Sequence, residues 1–418
     1  MTTHDIVIVG AGPAGLAAAI GAREAGAQDI LLLERDGEPG GILNQCIHNG
    51  FGLHTFNEEL TGPEYARRYI DRVNELGIPI QTGTTVLDIS PDRVLTCTSR
   101  ENGFEQIRAG AVILCMGCRE RPRGAMDIPG SRPAGIYSAG TAQRLMNIDG
   151  FMPGKEVFIM GSGNIGLIMA RRLTLEGAVV KGVCNRSAYS SGLKRNVVQC
   201  LDDFGIPLMV RHTVTEIHGR DRLEGVTVSE VGEDKKPIPG TEQYISCDTL
   251  LFSVGLLPEN ELSEQAGVEL DAVTGGPTVD DRLATSVPGV FACGNVLHVH
   301  DLVDFVSEEA ARAGAAAARF VRGETVSSGR RVSLRGRNGV RYSVPQSVDP
   351  DTMPEELTVR FRVADQYLGC YLSCYVDGVR VSHKKKRIMT PGEMEAFVLR
   401  REMLGNDARE VVFCVEEA

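Results

Sequence analysis

A chain of 418 residues with 42% hydrophobic and 24% charged side chains, and 48 glycines against 19 prolines, is globular and too long for one ordinary core, so two or three domains are expected. Its net charge of -11 argues against a nucleic-acid binder, which needs a basic stripe broader than the single run His383-Lys384-Lys385-Lys386-Arg387. No apolar run reaches the roughly 18 residues of a spanning helix, and MTTHDIVIVG enters an apolar strand without a basic leader, so a cytoplasmic protein with no membrane insertion is expected.

The first predicted elements are strand, glycine turn, helix and strand over DIVIVGAGPAGLAAAIGAREAGAQDILLLERD, residues 5–36. Gly10, Gly12 and Gly15, with Pro13 and Ala14 between them, form G-x-G-x-x-G, and Glu34, followed by Arg35, lies 19 residues beyond Gly15. Gly10 permits a tight turn, Gly12 lets a pyrophosphate approach closely, and Gly15 lets helix pack on strand. Free N–H groups of the helix start hold the phosphates and the Glu34 carboxylate accepts from a ribose.

GGILNQCIHNGFG, residues 40–52, follows with the single cysteine Cys46 and His48 two residues on. A thiol centre there requires a lowered pKa and an accessible sulfur, which His48 can assist; the other reading is a packed thiol. AGAVILCMGCRERPRG, 109–124, is a buried strand ending at Cys115-Met116-Gly117-Cys118. That C-x-x-C spacing belongs to redox or metal pairs, but the strand is buried and no second pair completes a zinc set, so no metal is expected.

A second glycine turn, Gly161, Gly163 and Gly166 with Asn164 and Ile165 inside it, stands in EVFIMGSGNIGLIMARRLTLEGAVVKGVCNRS, 156–187. Two dinucleotide folds imply two dinucleotides. The position 19 beyond Gly166 is Asn185, followed by Arg186. Loss of the carboxylate there removes a repulsion, and Arg186, with Lys194 or Arg195, can bind a 2′-phosphate, which favours NADP(H) over NAD(H); in the alternative, Asn185 bonds a ribose hydroxyl and Arg186 is solvated.

YISCDTLLFSVGLLPEN, 244–260, repeats the strand-and-glycine pattern with Gly255, and TSVPGVFACGN, 285–295, ends at Gly294-Asn295 before a helix from about Val303 through SEEAARAGAAAARFV. His298 and His300 just before that helix read equally as groups tuning a bound cofactor or hydrogen-bonded loop residues. Beyond about 325, LTVRFRV, GCYLSCYVDGVRVSHKKKRIM and REVVFCVEE alternate as half-buried strands and PGEMEAFVLRREML is expected to be a helix. Cys370 and Cys374 fall on one strand face, and with Cys414 they number too few for an iron–sulfur cluster.

Together these motifs resemble the FAD- and pyridine-nucleotide-dependent oxidoreductases with two dinucleotide-binding domains, over about residues 4–325. The resemblance implies an α/β fold of two Rossmann-like domains: an FAD domain from 1–125 and 285–325, an NAD(P) domain inserted at 126–284, and a β-rich interaction domain at 326–418. It implies FAD held by Gly10, Gly12, Pro13, Ala14, Gly15, Glu34, Arg35, Gly41, Ile42, Val86, Cys115, Met116, Gly117, Gly294, Asn295, Val303 and Asp304. Asn295 stands where the family has aspartate. NAD(P)H falls to Gly161, Gly163, Asn164, Ile165, Gly166, Asn185, Arg186 and Gly255. The family's dithiol positions are vacant, with one cysteine in 41–48 and Ser138 and Thr141 in GIYSAGTAQRL.

The runs GGILNQCIHNGFGLHTFNEELTGPEY, MGCRERPRG and CGNVLHVHDLVDFVSEEA are similar to subunits that accompany glycerol-3-phosphate dehydrogenase-like flavoproteins and, more distantly, to those of opine oxidases and hydrogen cyanide synthase. The resemblance implies a relay subunit in a hetero-complex or oligomer, exchanging electrons with a partner flavoprotein dehydrogenase, with a small cysteine-rich protein as a further partner. Two alternatives stand beside it: a stand-alone oxidase or disulfide reductase using Cys46 with His48, and a non-catalytic nucleotide-binding scaffold.

Overall fold

The computed structural model describes residues 1–324 and 328–417. The chain divides into two units, Met1–Cys118 with Pro258–Ala418, and Arg119–Leu257. Short continuous apolar runs form the buried parallel strands of the first unit, as expected where helices cover both sheet faces. Thr2–Val9 lies between Ile30–Leu33 and Gly103–Leu114, in register at Ile6 with Ile30 and Ala111. Val290–Ala292 joins the far side of Gly103–Leu114, and Val94–Ser99 and Thr84–Ile89 continue the sheet as an antiparallel meander.

Two helices pack unusually close on this sheet. Pro13–Glu24 and Val303–Val321 meet where a Cβ on Gly21 would strike the Ala311 carbonyl and one on Gly314 would strike that of Ala18. Small residues permit this approach, and it brings the start of the second helix beside the first glycine turn.

The second unit holds a five-stranded parallel sheet in the order Ile136–Ser138, Thr249–Phe252, Glu156–Met160, Val179–Asn185, Leu208–Val210. A three-stranded antiparallel sheet, His212–Gly219, Leu223–Glu230 and Gln243–Ser246, accompanies it.

Residues 258–284, expected in the inserted domain, fall in the first unit because Ala266, Val268, Val279 and Leu283 complete its main core. Residues 119–125, expected in the first, fall in the second. The boundary expected at 325/326 lies outside the described residues. The C-terminal segment has its own core around Phe361, Phe397 and Phe413, yet it lends Tyr342 and Val344 to the main core. Its five-stranded sheet runs Ser347–Val348, Val332–Gly336, Glu410–Glu416, Tyr367–Val376, Val379–Met389.

The helix expected over PGEMEAFVLRREML is instead the strand Glu395–Arg400, paired antiparallel with Glu356–Phe361, then a short 3-10 turn. Helix formers dominate the composition, but within the strand only Phe397 and Leu399 are buried, two apart, and that period is a strand's.

Candidate functional site

The first glycine turn gathers residues from three parts of the chain. Gly10 has φ +100, and a Cβ there would come 2.6 Å from the Cys115 carbonyl oxygen; at Gly15 a Cβ would meet the Gly10 carbonyl. Gly12 is the residue before the helix, whose N-terminus has Pro13 at its start and no side-chain cap. An uncapped helix start presents N–H donors and positive partial charge to an anion. Among the described residues, the nearest atom to a Cβ at Gly12 is Gly41 Cα, 4.0 Å away, so the space over the turn is open to a ligand's phosphates.

Glu34 is buried and accepts from Ala11 N–H at 2.8 Å and Asp36 N–H at 2.9 Å. Each carboxylate oxygen retains a lone pair for a ribose hydroxyl. Gly294 belongs to the same turn, because a Cβ on it would lie 2.8 Å from Ala14 Cβ. Asn295 accepts the His300 N–H at 3.0 Å and donates to Cys118 Sγ at 3.6 Å. Gly10, Gly12, Ala14, Gly15, Gly41, Cys115 and Gly294 therefore converge. Val86 sits in the meander strand Thr84–Ile89, Arg35 and Ile42 are exposed, and the Asp304 carboxylate is engaged by Gly52 N–H at 3.2 Å and Thr55 N–H at 2.8 Å.

Sequence reasoning missed the residue under this loop. Glu309, on the helix Val303–Val321, is buried and accepts from Gly294 N–H at 2.8 Å; His298 and His300 point Nε2 at its two oxygens, at 3.0 and 3.2 Å. Burial, with His300 alongside, pushes His298 down to about 4, so it is a neutral donor. Burial alone would raise the Glu309 carboxyl, but the two histidines hold it well below its usual range. The signal was a lone acid on an apolar stripe, since Val306, Glu309, Ala310, Ala313 and Ala317 share one helix face.

Among the described residues, His298, His300 and Glu309 are the three such side chains close enough to share a metal, with ligand atoms within 4.8 Å. The donors describe a carboxylate receiving three N–H groups. Histidines that ligate metal donate their second nitrogen to an acceptor, and Nδ1 of both rings lacks a hydrogen-bond partner.

All eleven cysteines are thiols. Cys46 is half-buried and donates to the Ile42 carbonyl at 3.3 Å, and burial pushes its pKa up to about 12, opposite to the requirement for a reactive thiolate. His48 engages the Asn49 carbonyl at 3.0 Å and tilts against Phe51. Cys115 faces Cys293, Sγ to Sγ 3.5 Å, inside the core, while Cys118 engages Asn295. The 115–118 spacing thus sends its two sulfurs to different neighbours. Ser138, in the vacant dithiol segment, caps the helix Ala139–Asn147 by accepting from Thr141 N–H.

The second glycine turn has the same backbone and different surroundings. Gly161 has φ +100 and packs on the Ser253 carbonyl, and the helix Asn164–Leu175 again starts at a glycine, Gly163, without a side-chain cap. Here, however, Gly166 N–H donates to Ser253 Oγ at 3.1 Å, and Asn164 Oδ1 accepts from Leu193 N–H and Asn196 Nδ2. Asn185 donates to the Tyr189 carbonyl at 2.5 Å, and exposed Arg186 to that of Lys235 at 2.7 Å. Ile165 packs on the unit's core, and Gly255, φ +106, accepts Arg121 N–H at 3.1 Å.

The pyridine nucleotide-disulphide oxidoreductase pattern matches residues 4–318. The chain belongs to that family. It is 28% identical over 283 residues to the hydrogen cyanide synthase subunit HcnB of Pseudomonas protegens, covering 63% of this chain and 59% of that protein. It is 24% identical over 318 residues to an opine oxidase subunit of Agrobacterium tumefaciens, covering 70% and 61%. The chain thus spans about three fifths of those two relatives. Thioredoxin reductase from T. acidophilum superposes with TM-score 0.62 at 25% identity, over 78% of this chain and all of that one. A two-Rossmann-domain flavoprotein fold follows. No helix among the described residues is long and apolar enough to cross a membrane.

Proposed function

We propose that this chain is an FAD-dependent NAD(P)H oxidoreductase, with FAD at the first glycine turn and the nicotinamide nucleotide at the second. In this reading it relays electrons to or from a partner flavoprotein dehydrogenase. One observation carries the reading: two uncapped glycine-turn helices stand in a chain whose candidate thiol, Cys46, is held protonated by burial. Family membership supports the pair of cofactors, since the family uses FAD and NAD(P)H. The hydrogen cyanide synthase and opine oxidase relatives are both named as subunits, which supports a hetero-complex; a small cysteine-rich partner is part of the proposal without support from those names.

FAD supplies an acceptor for two electrons from a nicotinamide. Such a transfer needs positioning more than side-chain acid or base chemistry, so the residues' work is binding. Free N–H groups of Ala14 and Gly15 would donate to phosphate oxygens, Glu34 would accept from ribose hydroxyls, and the turn at Gly294 would close the cradle. In the second unit Gly163 leaves room for phosphates, Asn185 meets a ribose through its carbonyl oxygen, and Arg186, released from Lys235, pairs with a 2′-phosphate, favouring NADPH. The experiment is an anaerobic titration of the yellow protein with NADH and then NADPH after thiol alkylation. Stoichiometric bleaching is expected, faster with NADPH; a flavin that neither nucleotide reduces would leave the scaffold reading.

A further inference from the structure

The segment 294–305 is clamped from two sides. From the helix Val303–Val321, Glu309 holds Gly294 N–H and both histidines. From the C-terminal segment, Arg362 reaches Asp301 Oδ1 at 2.5 Å and the Val299 carbonyl at 3.1 Å, while Met394 N–H donates to Asp301 Oδ2 at 2.6 Å. Arg360, two residues earlier, pairs with Glu308 at 2.8 Å and lies over the Phe305 ring at 4.3 Å. Arg362 and Asp301 are 13% and 15% exposed, so this is a largely desolvated pair with more geometric demand than a surface bridge.

We infer that the C-terminal domain is part of the flavin site, with Arg362 a positioning residue that acts through Asp301 on the 294–305 segment. The inference rests on the reading that the first turn holds FAD. Gly294 touches Ala14 inside that turn, so the clamped segment borders whatever dinucleotide lies there. The same segment leads into the N-terminus of the helix Val303–Val321, which has no side-chain cap and carries positive partial charge. A positive helix end held against a bound flavin would favour its more negative, reduced form. A guanidinium suits this position because its planar fork serves Asp301, Val299 and the Pro391 carbonyl together; an ammonium would have to meet all three from a single nitrogen.

The test uses Arg362→Met, Arg362→Lys and Asp301→Asn in the full chain, with exposed Arg335→Met as the control. FAD affinity is read by fluorescence titration of the apoprotein, the two-electron midpoint potential by dye equilibration, and apoprotein melting separately. Arg362→Met should weaken FAD at least tenfold and lower the preference for reduced flavin about tenfold, about 30 mV for a two-electron couple. Arg362→Lys and Asp301→Asn should shift both readouts in the same direction by less, and Arg335→Met should shift neither. Folded variants with unchanged affinity and potential, differing only in melting, would overturn the inference; if Arg362→Met does not fold, the two milder variants decide it. A wild-type flavin that binds but is not reduced by nicotinamide would defeat the relay reading and leave this one measurable.

Discussion

The two glycine turns share a backbone and differ in what occupies their donors. Both have φ +100 at the leading glycine, and both helices start without a side-chain cap. At the first turn a buried acid closes the far side and Glu309 braces the returning loop. At the second, Ser253 occupies Gly166 N–H, and loop residues 190–196 fold over Ser162 and Asn164. A site with its donors aimed outward and its walls braced suits a tightly kept dinucleotide. One whose donors are already bonded suits a ligand that comes and goes.

The largest effect comes from breaking the first turn. Gly15→Ala drives a Cβ onto the Gly10 carbonyl, where backbone on both sides cannot give, and should cost more than about 3 kcal/mol with loss of the yellow colour. Gly166→Ala meets the Ser253 side chain, Cβ at 2.6 Å, as well as the Gly161 carbonyl; it should cost about 1–3 kcal/mol, and Ser253→Gly should recover part of that. Denaturant melts of the three proteins check the order.

Glu34→Ala leaves Ala11 and Asp36 N–H without their acceptor and should cost about 1–3 kcal/mol together with FAD retention. Asn185→Ala, with its one donor bond to Tyr189, should cost less and leave FAD in place. Flavin content after dialysis separates the two.

Two thiols, Cys46 in the segment after Gly41 and Cys184, whose carbonyl accepts Gly161 N–H, are raised by burial from 9.0 to about 12. The unfolded chain loses these protons first, so their contribution is complete below pH 9 and lost as pH climbs toward 12. The free energy of unfolding should hold up to pH 9 and fall above it, and Cys46→Ser should flatten that decline by about 1.4 kcal/mol per pH unit. A profile flat to pH 11 would contradict the burial of both.

The smallest effect belongs to the second turn's rim. Arg186→Ala removes an exposed side chain and its bond to Lys235, so NADPH binding should weaken several-fold, about 1 kcal/mol, with NADH unchanged. Equal losses for both nucleotides would remove the phosphate role.

What the sequence disclosed follows from the range of the forces involved. Glycine turns are legible because their need for positive φ and close approach is met within a few residues, and the helix starting at Val303 was visible in its alanine spacing. Glu309 was passed over although it is an acid on that helix's apolar face, and its partners, His298 and His300, looked equally suited to a flavin or a loop. Nothing local linked Arg362 to Asp301, 61 residues earlier, or Cys115 to Cys293, 178 residues later. The strand Glu395–Arg400 was misread because Met, Glu, Leu and Arg favour helix, whereas pairing with Glu356–Phe361 decides its conformation.

In the proposed reading a nicotinamide reduces the flavin without the Cys46 thiol. Single-turnover, anaerobic mixing of the Cys46→Ser protein with NADPH tests it most directly. Flavin bleaching at the wild-type rate and to the wild-type extent is expected. Bleaching that disappears with the Cys46 sulfur would contradict it and return the chain to single-cysteine chemistry.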